Sequence, residues 1–149
     1  MARALIVGCG CRGRKLGAEL LRQGWEARGT SRREDGLAAI EASGIEAALA
    51  DPEQPGTLLD LVGDVTVVCW LLGSASGPAE NLEAIHGQRL ERFLERLVET
   101  PVRRFVYEAG GSVASPILAR GRAAVEAASQ TWRIPVEIAD RQVDISKLR

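Results

Sequence analysis

A glycine-rich turn near the N-terminus constrains this chain more than any other feature of its sequence. A short apolar run at residues 4–7 is followed at once by Gly8-x-Gly10-x-x-Gly13, and a helical pattern begins directly afterwards. A strand, a glycine turn and a helix in this order form the context that a dinucleotide-binding fingerprint requires. Gly8 permits the tight turn, Gly10 lets the backbone approach a pyrophosphate, and Gly13 lets the helix lie close to the sheet. The motif predicts dinucleotide binding, and the alternative is a glycine-rich turn that binds nothing.

The phosphates of such a ligand are expected to lie at the start of the helix. A helix N-terminus presents free N–H groups and the positive end of the helix dipole to an anion. Cys11 and Arg12 occupy the positions of the turn that would line this phosphate site. We therefore include both residues, together with the three glycines, among the expected cofactor contacts.

Strand-like and helix-like segments alternate along the whole chain. The predicted strands cover residues 4–7, 25–30, 45–49, 65–72, 103–107 and 136–139. The predicted helices cover 14–23, 37–43, 79–99 and 117–131, and residues 57–62 are expected to form a helix or a turn. The segment at 79–99 is expected to be the longest helix. Alternation with short connections predicts an α/β, Rossmann-like, doubly wound parallel sheet of about six strands in the order 3-2-1-4-5-6. All 149 residues are expected to form one domain.

Composition excludes several classes of partner. The net charge of −1 gives no basic footprint for nucleic acid. No secretory signal is apparent, and no apolar stretch approaches the roughly 20 residues that span a bilayer, so we expect a cytoplasmic protein without membrane contact. Three cysteines argue against a disulfide framework. Cys9-x-Cys11, with a single histidine in the chain, indicates small residues in a crowded turn rather than metal ligands.

The end of the second predicted strand bears on the choice of cofactor. Sites that prefer NAD carry an acidic residue about 20 positions after the glycines, where it binds the ribose 2′-hydroxyl. The corresponding stretch here is Gly29-Thr30-Ser31-Arg32-Arg33, which offers hydroxyls and guanidinium groups but no carboxylate. A 2′-phosphate favours this environment, so the sequence predicts NADP over NAD. The alternative is a solvated turn whose charges Glu34 and Asp35 neutralise.

With these segments placed, the chain resembles the short-chain dehydrogenase/reductase superfamily, and in particular its extended and atypical, epimerase/dehydratase-like branches. The resemblance rests on residues 7–13, 28–32, 50–52 and 102–107. It implies that Asp51 lies beside the adenine, although an Asp before Pro52 is equally typical of a helix cap. It also implies that Leu71, Leu72 and Gly73 run past the cofactor ribose.

The catalytic groups of that superfamily are not matched. Its serine or threonine follows the fifth strand, where this chain has Ala109-Gly110-Gly111 and places Ser112 one or two residues late. Its Tyr-x-x-x-Lys pair is absent, because Tyr107 lies inside the fifth predicted strand and the lysines are Lys15 and Lys147. The chain also stops where extended members place their substrate-binding region.

Glu108 and Ser112 remain as catalytic candidates, since both follow the strand edge where ligands bind in such sheets. Glu108 could contact the nicotinamide, act as a base or face solvent. His86 is expected at the surface or in an interface. Two functions stay open, namely an NADP(H)-dependent oxidoreductase of unknown small-molecule substrate and a non-catalytic NADP(H)-sensing module. A third, less favoured interpretation is a domain that has lost its ligand, and a homodimer is compatible with the apolar long helix.

Overall fold

A parallel sheet lies at the centre of the computed structural model, which describes residues 2–148. Within this range the sheet has six strands in the order β3-β2-β1-β4-β5-β6, and every neighbouring pair is parallel. The predicted doubly wound α/β fold and its strand order are therefore confirmed. The strands are β1 (Arg3–Val7), β2 (Glu26–Ser31), β3 (Glu46–Leu49), β4 (Val67–Trp70), β5 (Arg104–Glu108) and β6 (Val136–Ala139).

Helices cover both faces of the sheet. They are α1 (Cys11–Arg22), α2 (Leu37–Ala42), α3 (Pro55–Leu59), α4 (Ala79–Ile85), α5 (Gln88–Leu97) and α6 (Ser115–Trp132). Leu5, Val68 and Trp70 point to the face that packs against α5 and α6, and Ile6 and Cys69 point to the face that packs against α1 and the C-terminal segment. Alternate residues of the central strands therefore enter two separate apolar cores, which is why these strands are apolar throughout. No helix between residues 2 and 148 is both long enough and apolar enough to cross a membrane.

The segment predicted as one long helix at residues 79–99 is two helices, so that prediction was wrong. Helix α4 ends at Ile85, and α5 begins at Gln88 after His86 and Gly87. The N–H of Gly87 donates to the carbonyl of Ala84, which closes the last turn of α4 three residues back. The longest helix among the described residues is instead α6, with 18 residues.

Two boundary differences matter for the site. Helix α1 begins at Cys11 rather than at residue 14, so the last glycine of the turn already belongs to the first helical turn. Strand β4 ends at Trp70, two residues before the predicted end. Leu71 and Leu72 therefore leave the sheet in the direction of the glycine turn, and the N–H of Leu71 still donates to the carbonyl of Val7.

Candidate dinucleotide site

A cleft of about 540 Å³ opens at the carboxyl ends of the central strands. Strands β1 and β4 are neighbours in space, but the chain leaves them toward opposite sides of the sheet, which creates a gap between their connections. Open α/β sheets bind their ligands at this topological switch point. The walls of the cleft come from the glycine turn, the end of β2, the loop after β3, the loop after β4 and helix α4.

The glycine turn forms the floor of the cleft, and each glycine has a distinct steric role. Gly8 has a φ of +83°, and a side chain there would collide with the carbonyl of Leu71. A Cβ at Gly13 would lie 3.1 Å from both the carbonyl oxygen of Gly8 and Cγ2 of Ile6. A Cβ at Gly10, in contrast, would meet nothing within 4 Å. The missing side chain at Gly10 therefore leaves open space in the cleft and is not required for packing.

The N-terminus of α1 has the electrostatics of an anion site. No side chain caps this helix, and its first turn contains no acidic residue. Cys11, Arg12 and Arg14 all line the cleft, so cationic side chains accompany the free N–H groups of the helix. The sulfur of Cys9 packs against Gly29 of β2, and burial raises the pKa of this thiol to about 11.

At the end of β2 the structure adds an acidic partner that sequence reasoning missed. Thr30, Ser31 and Arg32 line the cleft, and Nη1 of Arg32 lies 3.6 Å from Oε2 of Glu53. Glu53 comes from the loop after β3 and lines the same cleft. The Arg32 guanidinium is thus partly neutralised by Glu53, and not by the acidic residues that follow it in sequence. No local pattern connects residues 32 and 53, so the pair could be found only in three dimensions.

Three predicted contacts, Arg33, Asp51 and Gly73, lie outside the lining of this cleft. Arg33 is exposed, and its backbone N–H and carbonyl both bond to the Ser31 hydroxyl. The carboxylate of Asp51 accepts the N–H of Glu53 at 2.9 Å, which is a turn-capping geometry. The flanking residues Ala50 and Pro52 line the cleft instead.

Glu108 connects the loops at the far end of the cleft. It is 2% exposed, its Oε1 accepts the N–H of Gly73 at 2.9 Å, and its Oε2 lies 3.0 Å from Nη2 of Arg12. The same nitrogen of Arg12 donates to Oγ of Ser74 at 3.1 Å. Burial raises the pKa of Glu108, while the Gly73 N–H and the Arg12 guanidinium oppose that rise. Both carboxylate oxygens are engaged, so Glu108 holds Arg12 across the cleft.

Gly73 and Ser112 serve the packing of the same region. Gly73 faces Gly110, so its small size makes room for the loop after β5. Ser112 is exposed, and its N–H donates to Oγ of Ser74 at 3.2 Å. Leu71 and Leu72, in contrast, line the cleft.

His86 is fully buried, so its predicted surface position was wrong. Its Nδ1 lies 2.7 Å from the hydroxyl of Tyr107, and its Nε2 lies 3.0 Å from the carbonyl oxygen of Leu72. The break between α4 and α5 turns the ring toward β4 and β5, where both polar atoms find partners. Because a carbonyl only accepts, Nε2 carries the proton and Nδ1 accepts the O–H of Tyr107. Burial lowers the pKa of His86, which keeps the ring neutral.

The tyrosine and the lysines are not brought together in the cleft. Tyr107 is fully buried, and a glycine at position 121 of α6 makes room for its hydroxyl. Lys147 pairs with Glu137 at 3.3 Å, and Lys15 faces a different cleft beside α1. The described part of the chain therefore offers no tyrosine–lysine pair for proton transfer at this site.

Among known proteins, solved structures share the fold of this chain. No protein-family model matches the sequence, and no curated protein shows significant similarity to it. Solved structures do match: a short-chain dehydrogenase/reductase superfamily protein from Agrobacterium tumefaciens with bound NAD has a TM-score of 0.74 at 20% identity. A UDP-glucuronic acid 4-epimerase from Bacillus cereus in complex with NAD has 0.73 at 15%, and a Citrobacter sp. triphenylmethane reductase complexed with NADP(H) has 0.67 at 18%.

These matches cover 91%, 91% and 93% of this chain but 48%, 54% and 48% of the other chains, so the chain spans about half of their length. The chain thus has the Rossmann fold seen in short-chain dehydrogenase/reductase structures.

Proposed function

We propose, from this shared fold and the geometry of the cleft, that the chain binds a nicotinamide dinucleotide and prefers NADP(H) to NAD(H). One observation carries the proposal: the open space in front of Gly10 lies at an uncapped helix N-terminus. A pyrophosphate needs this combination, because it requires both close approach to the backbone and several N–H donors. The nicotinamide, when bound, supplies the hydride chemistry, and the protein supplies its orientation.

Charge in the cleft supports the preference for NADP(H). Three guanidinium groups line it, those of Arg12, Arg14 and Arg32, against two carboxylates, those of Glu53 and Glu108. Pairing of Arg12 with Glu108 and of Arg32 with Glu53 leaves Arg14 without a carboxylate partner among residues 2–148. In a Rossmann site the 2′-position of the adenine ribose lies beyond the end of β2, next to Arg32. A 2′-phosphate would draw Arg32 away from Glu53 and gain a charge-assisted bond.

The test compares the affinities of NADPH, NADP, NADH and NAD by calorimetry. The phosphorylated cofactors should bind roughly tenfold to a hundredfold more tightly, since a charged hydrogen bond contributes about 1.5–3 kcal/mol. Replacing both arginines (Arg32→Ala with Arg33→Ala) should remove most of this difference. Arg89→Ala with Arg92→Ala changes the same charge on the exposed face of α5 and serves as the matched control. Equal affinity for NADP and NAD in the unmodified protein would contradict the preference.

A second candidate function is a non-catalytic NADP(H)-sensing module. It is favoured because the ionisable side chains around the cleft are already hydrogen-bonded or ion-paired. Glu108 has both oxygens engaged, and the hydroxyl of Tyr107 is buried against His86. Neither group is free to transfer a proton to a substrate. Turnover assays with a broad set of dyes and quinones separate the two functions, because direct hydride transfer needs orientation but no proton donor. NADPH oxidation above the background rate supports the oxidoreductase.

A further inference from the structure

A second cleft, of about 930 Å³, lies next to the dinucleotide cleft. Arg12, Leu71 and Glu108 line both clefts, so the ion pair of Arg12 and Glu108 stands between them. One wall of the second cleft is helix α1, and the other is the segment at residues 141–146 that follows β6. The first cleft ends at the loops after β4 and β5, and the second cleft begins there.

The wall formed by α1 carries a row of charged side chains. Arg12, Lys15, Glu19 and Arg22 follow one another at spacings of three, four and three residues, which places them on one face of the helix. Glu19 accepts hydrogen bonds from Arg22 and Gln23, and Arg12 pairs with Glu108. Lys15 has no carboxylate within salt-bridge distance among residues 2–148. It remains an uncompensated cation on this wall.

The opposite wall presents a second cation. Arg141 lines the cleft, is exposed and has no acidic partner in the described part of the chain. Its side-chain stem lies beside Gly110, close to the loop after β5. Asp144 is the acidic residue of this wall, and its Oδ1 accepts both the N–H and the hydroxyl of Ser146, at 3.0 and 2.6 Å. Glu108 and Glu19 are thus paired with arginines and Asp144 is hydrogen-bonded to Ser146, whereas Lys15 and Arg141 have no carboxylate partner among residues 2–148.

We propose that the second cleft binds the substrate and that this substrate is a small organic carboxylate, with its anionic group held by Lys15 and Arg141. The inference rests on the proposed function, because the nicotinamide end of a bound dinucleotide would lie at the wall that the two clefts share. Two cations that line the same cleft lower the free energy of a bound anion, and Arg in particular bonds a carboxylate through two N–H groups. A neutral substrate would gain nothing from this arrangement.

The test uses three carboxylates of increasing size, pyruvate, 2-oxoglutarate and 4-carboxybenzaldehyde, each compared with its methyl ester. Calorimetric titrations are made on the full chain, with and without saturating NADP. At least one acid should bind more tightly than its ester, and Lys15→Gln with Arg141→Gln should weaken that acid tenfold or more. Arg89→Gln with Arg92→Gln removes the same charge elsewhere and should leave its affinity within twofold.

The outcomes distinguish the two proposals. NADP affinity within twofold in the Lys15→Gln, Arg141→Gln variant, with loss of acid binding, supports the second cleft. If no acid binds better than its ester, or if the variant binds the acid as well as the unmodified protein, the carboxylate site is overturned while NADP binding stands. If NADP fails to bind but the acid still depends on Lys15 and Arg141, the proposed function is overturned and the anion site is retained.

Discussion

Gly10 differs from the other two glycines of the turn because a side chain there would enter the cleft and touch nothing else. A Cβ at Gly8 or Gly13 would lie too close to backbone atoms or to Ile6, so larger residues at those positions disturb the fold. The sequence motif assigned a separate role to each glycine, and only Gly10 was expected to make room for a ligand. The strands and loops that surround the turn supply the steric contacts at Gly8 and Gly13.

The first prediction is that Gly10→Val abolishes dinucleotide binding and leaves the fold intact. The branched side chain would fill the space that a pyrophosphate needs, and a Cβ at Gly10 meets no other atom within 4 Å. We expect NADPH affinity to fall at least ~100-fold, equivalent to about 2.7 kcal/mol, as measured by calorimetry. Gly63→Val is the matched control, since a Cβ at Gly63 also meets nothing within 4 Å but lies outside the cleft. Normal binding by Gly10→Val would place the cofactor elsewhere.

Glu53 is the residue of the cleft that local sequence patterns could not reveal. It is separated from Arg32 by 20 intervening residues and reaches it only because β2 and β3 pair in parallel. The end of β2 itself carries no carboxylate, as the sequence indicates. The structure supplies one from the neighbouring loop.

The second prediction follows from this pair: Glu53→Gln should increase the preference for NADPH over NADH. Removing the carboxylate frees Arg32 and removes a negative charge that would repel a 2′-phosphate. A partly exposed ion pair contributes little, so we expect a gain of about threefold to tenfold in the NADPH/NADH affinity ratio. Glu34→Gln removes one charge from the exposed turn after β2 and should change the ratio by less than twofold. An unchanged ratio in Glu53→Gln would show that Arg32 does not contact the 2′-phosphate.

At the scale of elements, the connection between α4 and α5 shows where periodicity fails. The apolar residues at 82, 85, 90, 93, 94 and 97 share a helical spacing, which predicted one continuous helix. The break at His86 and Gly87 becomes favourable only because Tyr107 of β5 and the carbonyl of Leu72 satisfy the buried imidazole. Those partners are distant in sequence, so periodicity could not detect them. The strand bounds, in contrast, were predicted to within about two residues.

The third prediction concerns Tyr107→Phe, which should destabilise the fold and leave NADPH binding unchanged. The substitution leaves Nδ1 of His86 as a buried acceptor without a donor, at a cost of about 1–3 kcal/mol in the free energy of unfolding. Denaturant unfolding measures this loss. Thr66→Val is the control, because its hydroxyl bonds only the Arg3 carbonyl, which keeps the Thr66 N–H. A hundredfold loss of turnover on any active substrate, with normal cofactor affinity, would instead indicate proton transfer by Tyr107.

At the scale of the whole molecule, the strand order was predictable because short right-handed crossovers leave few ways to arrange alternating strands and helices. The second cleft was not predictable, since it forms where α1 meets the segment at 141–146. That meeting depends on the last strand, β6, bringing the C-terminal segment back to the central part of the sheet. Lys15 and Arg141 therefore line the same cleft although they lie near opposite ends of the sequence.

The fourth prediction is a loss of global stability on mild acidification that depends on His86. The folded protein lowers the pKa of this imidazole below the 6.5 expected in the unfolded chain, so the unfolded chain binds the proton more readily. The stability that the neutral ring contributes is complete above pH 6.5 and is lost as the pH falls from there toward the folded-state pKa. Unfolding free energies measured between pH 7.5 and 5.5 should fall more steeply for the unmodified protein than for His86→Gln. Parallel profiles would contradict this account.

Gly73, Gly110 and Gly111 form a region where backbones touch directly, because a Cβ at Gly73 would strike the carbonyl of Gly110 and one at Gly111 would strike that of Gly73. In a library of all single substitutions, selection for folded protein alone would deplete variants at these three positions. The same selection would retain variants at Gly10, and a second selection for ligand capture would then remove them. The ratio of the two enrichment scores thus separates glycines kept for architecture from one kept for a ligand, whatever the chemical identity of that ligand.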